Sequence, residues 1–87
     1  MKYKCHVRVK NELGLHTRPA TVIVKMLQNC ESNVSFTYEK ETVDAKSILS
    51  ILMLAVRKNS RITIKAEGND AKDIITELAE AFDSEFE

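Results

Sequence analysis

The stretch GLHTRP, residues 14–19, separates two kinds of hydrophobic periodicity and so decides the fold. Before it, apolar and polar residues alternate from Tyr3 to Lys10, which is the period of a β-strand with one buried face. After it, apolar residues recur at helical spacing and predict an amphipathic helix of about three turns. The residues of this apolar stripe are Ala20, Ile23, Val24, Leu27 and Cys30.

The same stretch carries groups that suit a phosphate. Pro19, the only proline, fits the first turn of a helix because it has no N–H to leave unpaired. With His16 as the N-cap residue, the amides of Thr17 and Arg18 have no partner within the helix and form an anion site, to which the Arg18 guanidinium adds charge. Gly14 permits a sharp turn. The stretch therefore favours a histidine that accepts and returns a phosphoryl group, although a solvated or capping histidine would give the same window.

Composition and charge limit the class of protein. The 87 residues contain 13 basic and 13 acidic side chains, and 44% are hydrophobic. This predicts one small globular domain over residues 1–87, without the basic stripe of a nucleic-acid-binding protein. We find no leader and no apolar run long enough for membrane insertion, and therefore expect a cytoplasmic protein. Cys5 and Cys30 lack metal-ligand spacing, so we expect buried free thiols, no metal and no cofactor.

In the rest of the chain, segments with strand-like hydrophobic spacing continue to alternate with segments of helical spacing. Short connections and mixed elements favour an α+β fold, a two-layer sandwich with an antiparallel sheet and helices on one face. In chain order the pattern predicts a strand over 34–38, a charged turn over 39–41, a strand around Val43, a helix over 48–56 capped by Ser47, a strand over 61–66, and a last helix capped by Asp70.

Three segments resemble one known family. GLHTRPA at 14–20, AKSI at 45–48 and ITIKAEGNDA at 62–71 are similar to the histidine-containing phosphocarrier (HPr) family of the bacterial phosphoenolpyruvate-dependent sugar phosphotransferase system. The resemblance runs from Tyr3 to about Phe86. It implies an open-faced sandwich of four antiparallel strands, in the order first, fourth, second, third, with three helices on one side.

The resemblance also assigns site residues. It implies phosphorylation of His16 on Nδ1, a phosphate-coordinating role for Arg18 beside Thr17, and a regulatory phosphorylation site at Ser47. Thr17 stands where alanine is usual, and its hydroxyl either adds a hydrogen bond or crowds the docking partner. Ser50 and the pair Asn59-Ser60 replace glycines that are common in relatives.

The partners implied are enzyme I, the A domains of sugar permeases, a kinase/phosphorylase acting on Ser47 and a transcriptional regulator, each bound by a monomer. The surface implied for partner binding comprises Leu15, Thr21, Lys25, Ile48, Leu49 and Leu52. Two functions stay open: a phosphoryl carrier, and a regulatory relative of the nitrogen-branch or catabolite-control type that acts by binding proteins. The intact His16 favours the carrier.

Overall fold

A computed structural model describes all residues from 1 to 87. Strands and helices follow the predicted order, with one helix after the first strand, one after the third and one after the fourth. The elements are β1 (Lys2–Arg8), α1 (Thr17–Leu27), β2 (Asn33–Tyr38), β3 (Glu41–Asp44), α2 (Ile48–Met53), β4 (Arg61–Glu67) and α3 (Ala71–Asp83).

The four strands form one antiparallel sheet in the order β1-β4-β2-β3. Ile64 of the inner strand β4 pairs with Cys5 of β1 on one side and with Phe36 of β2 on the other. Alternate residues of β2 and β4 are buried against the helices, as the period-2 pattern predicted. The α+β open-faced sandwich is therefore confirmed. No helix has the length and apolar character needed to cross a membrane.

The core lies between the sheet and its three helices. Phe36 and Phe82 meet edge to face with ring centroids 5.9 Å apart, and Phe86 continues the row 4.8 Å from Phe82. The predicted stripe of α1 is buried at Ala20, Ile23 and Leu27. Other large side chains that are fully buried include Val9, Ile51, Ile62, Ile64 and Leu78.

The two cysteines are free but only half-buried, so the prediction of buried thiols was wrong in degree. Cys5 lies on β1, an edge strand with a neighbour on one side only. Cys30 lies beyond Leu27, where α1 ends, and so falls outside the helical stripe. Partial burial is still enough to raise the pKa of the Cys5 thiol.

Helix α2 is shorter than predicted. The apolar run continues to Val56, but the helix ends at Met53 because Ala55 adopts a left-handed conformation with φ 53°. The chain then turns back and brings Val56 to the loop before α1. Asn59, with φ 72°, makes the turn before β4 in the left-handed conformation expected of asparagine there.

Asp70 occupies the N-cap position of α3, as predicted, but its side chain does not cap the helix. Its carboxylate accepts instead from the Glu31 amide, at 2.9 Å, and from the buried Ser32 hydroxyl. These hydrogen bonds, the one from Ser32 first, lower the pKa of Asp70 below its usual range. Asp70 thus ties the start of α3 to the loop before β2.

Candidate functional site

The loop between β1 and α1 is fixed at both ends. At its start, the Asn59 amide donates to the Val9 carbonyl at 2.7 Å. At its end, the Leu15 amide donates to the Val56 carbonyl at 3.0 Å. Gly14 has φ 71°, and a Cβ there would lie 2.1 Å from the Val56 oxygen. The predicted need for glycine is therefore confirmed, and its cause is the close approach of the α2–β4 connection.

His16 is the N-cap residue of α1, as predicted, with extended backbone angles and a half-exposed side chain. Its carbonyl accepts from the Ala20 amide at 3.1 Å and begins the helical hydrogen-bond pattern. The imidazole caps nothing, so both ring nitrogens are free of the helix. A neutral ring in this state offers one nitrogen lone pair to an incoming electrophile.

The amides of Thr17 and Arg18 form no hydrogen bond within the chain. Both side chains are exposed. The Thr21 hydroxyl donates to the Thr17 carbonyl at 2.8 Å and thereby reinforces the first turn. The structure thus brings together an imidazole, two unpaired amides and a guanidinium on three consecutive residues, which suits the binding of an anion beside His16.

The residues that the resemblance placed on a partner surface differ in exposure. Lys25 is exposed and Thr21 half-exposed, both on α1. Leu15 is only 3% exposed and belongs to the core, so its side chain offers little area to a partner. Its buried side chain and its backbone hydrogen bond to Val56 fix the loop next to His16.

Helix α2 presents apolar side chains to solvent. Ser47 caps it by accepting from the Ser50 amide at 3.2 Å, as predicted. Ile48 is exposed, Leu49 is 68% exposed and Leu52 is half-exposed. A helix of six residues on one side of a sheet cannot bury every apolar face, so this exposure follows from its composition.

Two further apolar residues belong to the same surface and were missed by the sequence analysis. Leu13 is 73% exposed in the β1–α1 loop, and Met53 is 72% exposed at the end of α2. Leu13 and Leu52 line a cleft of about 530 Å³ together with His16. An isolated leucine beside a glycine in a polar loop was the available signal for Leu13. We call these residues the apolar surface: Leu13, Ile48, Leu49, Leu52 and Met53.

Basic side chains adjoin this surface. Arg57 and Lys58 line the same cleft as His16 and are exposed. Lys58 pairs with Glu12 at 2.5 Å, which lowers the pKa of the carboxyl and raises that of the ammonium. With Arg18 on α1, the surroundings of His16 favour anionic groups on a ligand or partner.

The second histidine has a different setting. His6 is exposed on β1, with its Nδ1 2.9 Å from the Thr63 hydroxyl on the neighbouring strand. No group of three or more histidine, cysteine or acidic side chains is arranged to hold a metal ion. Of the two histidines, only His16 is followed by unpaired amides at a helix start.

Comparison with known proteins agrees with this geometry. Residues 3–84 match the family model described as the PTS HPr component phosphorylation site. The chain is 41% identical over 78 residues to the phosphocarrier protein HPr of Chlamydia muridarum, covering 90% of this chain and 75% of that protein.

Solved structures show the same fold. HPr of Thermoanaerobacter tengcongensis superimposes with a TM-score of 0.92 at 31% identity, covering 97% of this chain and 94% of that one. Crh, a catabolite repression protein of Bacillus subtilis, superimposes with a TM-score of 0.77 at 32% identity and 91% coverage of each chain. The fold, the extent of the family match and the identity to curated relatives lead to one conclusion: the chain belongs to the HPr family of phosphocarrier proteins of the phosphotransferase system.

Proposed function

We propose that His16 accepts a phosphoryl group from phosphorylated enzyme I and passes it to the A domains of sugar permeases. The observation that carries this proposal is the position of His16 at the N-cap of α1, where its imidazole forms no capping hydrogen bond. The unpaired amides of Thr17 and Arg18 and the Arg18 side chain follow it directly. The family match supports a phosphocarrier role in general. The resemblance implies the reacting residue and the two partners, and the geometry of the helix start suits that role for His16.

In the proposed reaction the Nδ1 lone pair of neutral His16 attacks phosphorus while Nε2 keeps its proton. A P–N bond forms at His16 and the bond from phosphorus to the donor's leaving group breaks. The negative charge on the transferred oxygens is met by the amides of Thr17 and Arg18 and by the Arg18 guanidinium. The reverse steps return the group to an acceptor, so the protein acts as a carrier rather than as a classical enzyme.

We further propose that partners dock on the apolar surface beside His16. Its large exposed side chains would lose water on association, which is a favourable contribution of about 25 cal/mol per Å² of apolar area. Thr21 and Lys25 extend the contact along α1, and the basic residues at its border suit an acidic rim on enzyme I or a permease domain.

The decisive test is incubation with phosphoenolpyruvate and a general enzyme I, followed by intact-mass measurement. We expect one phosphoryl adduct, lost in acid and kept in base, because protonation of the nitrogen makes it a good leaving group. His16→Ala should abolish the adduct, and His6→Ala should keep it. An acid-stable adduct, or one that persists in His16→Ala, would remove His16 from the proposal.

A second candidate function is regulation by protein binding without transfer, which the structural similarity to Crh favours. The same incubation separates the two, since a purely regulatory protein would remain unmodified. Both functions leave room for phosphorylation of Ser47 by a dedicated kinase and for contact with a transcriptional regulator. We propose Ser47 as that site because it starts the helix that carries most of the apolar surface.

A further inference from the structure

Asn11, in the β1–α1 loop, is a polar residue in an unusual position. Its side chain is 3% exposed, and its Nδ2 donates to the Glu85 carbonyl at 3.0 Å. Its Oδ1 is buried and has no hydrogen-bond partner. A leucine has the same branched shape and could be buried here without leaving an unpaired oxygen, so the hydrogen bond to Glu85 is what asparagine contributes at this position.

The acceptor of that hydrogen bond belongs to a well-anchored turn after α3. Glu85 and Phe86 have positive φ angles of 60° and 63°, which fold the chain back on the helix. The Phe86 amide donates to the Ala81 carbonyl at 2.8 Å, and the Phe86 ring packs on Phe82. A second contact joins the same two regions, since Lys10 pairs with Asp83 at 2.6 Å.

From Asn11 the hydrogen bonds continue to the backbone of His16. The Gly14 amide donates to the Asn11 carbonyl at 2.9 Å, and the His16 amide donates to the Gly14 carbonyl at 3.0 Å. The backbone of Asn11 is therefore linked through Gly14 to the backbone of His16 itself. On the other side of the loop, the α2–β4 connection forms backbone hydrogen bonds to the two ends of the loop, with Asn59 and Ser60 bonded to Val9 and Val56 bonded to Leu15.

We propose that Asn11 is a positioning residue that fixes the His16 loop to the turn after α3, and so holds the His16 imidazole in the geometry required for transfer. This inference rests on the proposed function for its effect on rate. Its structural part, the restraint of the loop, is independent of any activity.

Two variants weaken the connection from opposite ends. Asn11→Leu keeps the branched shape of the side chain, adds some volume and removes the donor, whereas Phe86→Leu loosens the turn that carries the acceptor. Ser32→Ala is the control, because Ser32 is equally buried and hydrogen-bonded but lies by the Lys2–Glu67 end of the sheet, opposite the His16 loop. Amide hydrogen exchange and the steady-state kinetics of His16 phosphorylation are measured for all four proteins.

We expect exchange at the Gly14 and His16 amides to be about ten-fold faster in Asn11→Leu and Phe86→Leu, and unchanged in Ser32→Ala. With the first two variants as phosphoryl acceptors, the kcat of enzyme I should fall about ten-fold. The KM of enzyme I for these variants should stay within about two-fold of the wild-type value, since the apolar surface is untouched. If Asn11→Leu does not fold, Phe86→Leu still gives the test.

Unchanged exchange at Gly14 in the folded variants would overturn the restraint. Faster exchange with an unchanged kcat would overturn the positioning role. Failure of the wild-type protein to accept a phosphoryl group would refute the proposed function, and with it the effect on rate, while the exchange measurement would still decide whether Asn11 restrains the loop.

Discussion

Arg18 differs from the other groups beside His16 because its side chain is charged, long and not bonded to the rest of the protein. Its side chain is exposed and forms no hydrogen bond or ion pair within the protein. The neighbouring amides are fixed by the helix, so they can orient an anion but add no net charge. The guanidinium can supply both charge and a planar pair of donors to phosphoryl oxygens.

We therefore predict that Arg18→Ala slows phosphorylation of His16 by about 10- to 100-fold, a loss of about 1.5–3 kcal/mol of transition-state stabilisation. Arg18→Lys should recover part of the rate because it restores charge without the planar fork. The melting temperature should stay within about 3 °C of wild type, as expected for an exposed surface residue of a small domain. The rate is measured in time-course assays of phosphoryl transfer. Lys72→Ala, which removes an exposed lysine on α3, is the control. Equal rates in Arg18→Ala and wild type would assign the phosphate site to other groups.

Gly14 is the residue on which the loop geometry depends most directly. We predict that Gly14→Ala destabilises the fold by about 2–4 kcal/mol, because the added methyl meets the Val56 carbonyl and because alanine disfavours a positive φ. Chemical denaturation measures this loss. Asn59→Ala, also at a positive φ but at a residue that already carries a Cβ, should cost less. A loss below about 1 kcal/mol in Gly14→Ala would show that the α2–β4 connection can move aside.

Among the elements, the short helix α2 and its N-cap residue Ser47 combine a helix cap with an exposed apolar surface. The Ser47 hydroxyl stabilises the first turn, while the residues that follow it are those most exposed to a partner. A charge placed at Ser47 therefore affects the fold and the surface in opposite ways. The free amides of the first turn tolerate it, whereas desolvation during docking penalises it.

We predict that Ser47→Asp lowers the rate of His16 phosphorylation at sub-saturating enzyme I by about ten-fold, with a melting temperature equal to or above that of wild type. Ser47→Ala separates the two roles, since it loses the cap, at a cost of about 1 kcal/mol, but adds no charge and should keep the rate. Mass-resolved time courses measure the rate, and thermal unfolding measures the cap. Should Ser47→Asp react as fast as wild type, Ser47 would remain a helix cap only.

Across the whole molecule, three carboxylates have a lowered pKa because each accepts a hydrogen bond in the folded state, from Ser32 to Asp70, from Lys58 to Glu12 and from Lys10 to Asp83. A carboxyl whose pKa is lower in the folded than in the unfolded chain stabilises the fold above the unfolded value and loses that contribution as the pH falls through the folded value. The ordinary values are 3.8 for aspartate and 4.5 for glutamate.

We predict that the unfolding midpoint in urea is constant from pH 7 to about pH 5 and falls below that. Asp70→Asn should be less stable than wild type at pH 7, and the difference should shrink as wild-type Asp70 becomes protonated. Glu77→Gln, which removes an exposed carboxylate in the middle of α3 that has no hydrogen-bond partner, should keep the wild-type pH dependence. A constant difference between Asp70→Asn and wild type from pH 7 to pH 3 would contradict the role given to Asp70.

Most of the fold could be predicted because it is encoded locally. Pro19 and the change of period fix the start of α1, and Ser47 fixes the start of α2. The end of α2 could not be predicted, because it depends on a distant part of the chain. The left-handed conformation of Ala55 turns the chain so that the Val56 carbonyl accepts from the Leu15 amide. The side-chain partner of Asp70 is likewise 38 residues away, and no local pattern contains it.

The site divides in the same manner. His16, Thr17 and Arg18 could be placed because they share one helix start, and the helix dictates their relation. The exposure of Leu13 depends on how the loop folds back over Val56, and the burial of Asn11 depends on the turn after α3. Neither dependence leaves a periodic signal in the sequence.

The strand order has a consequence for synthesis. Strand β1 pairs only with β4, and Lys2 pairs with Glu67. The first strand therefore has no neighbour in the sheet until residues 61–67 have been synthesised. On the ribosome, the first three-quarters of the chain can form the β2–β3 hairpin and nascent helices, but the strand leading into the His16 loop stays unpaired. The loop therefore acquires its shape among the last events of biosynthesis, and an incomplete chain carries His16 without the loop contacts on which its proposed role depends.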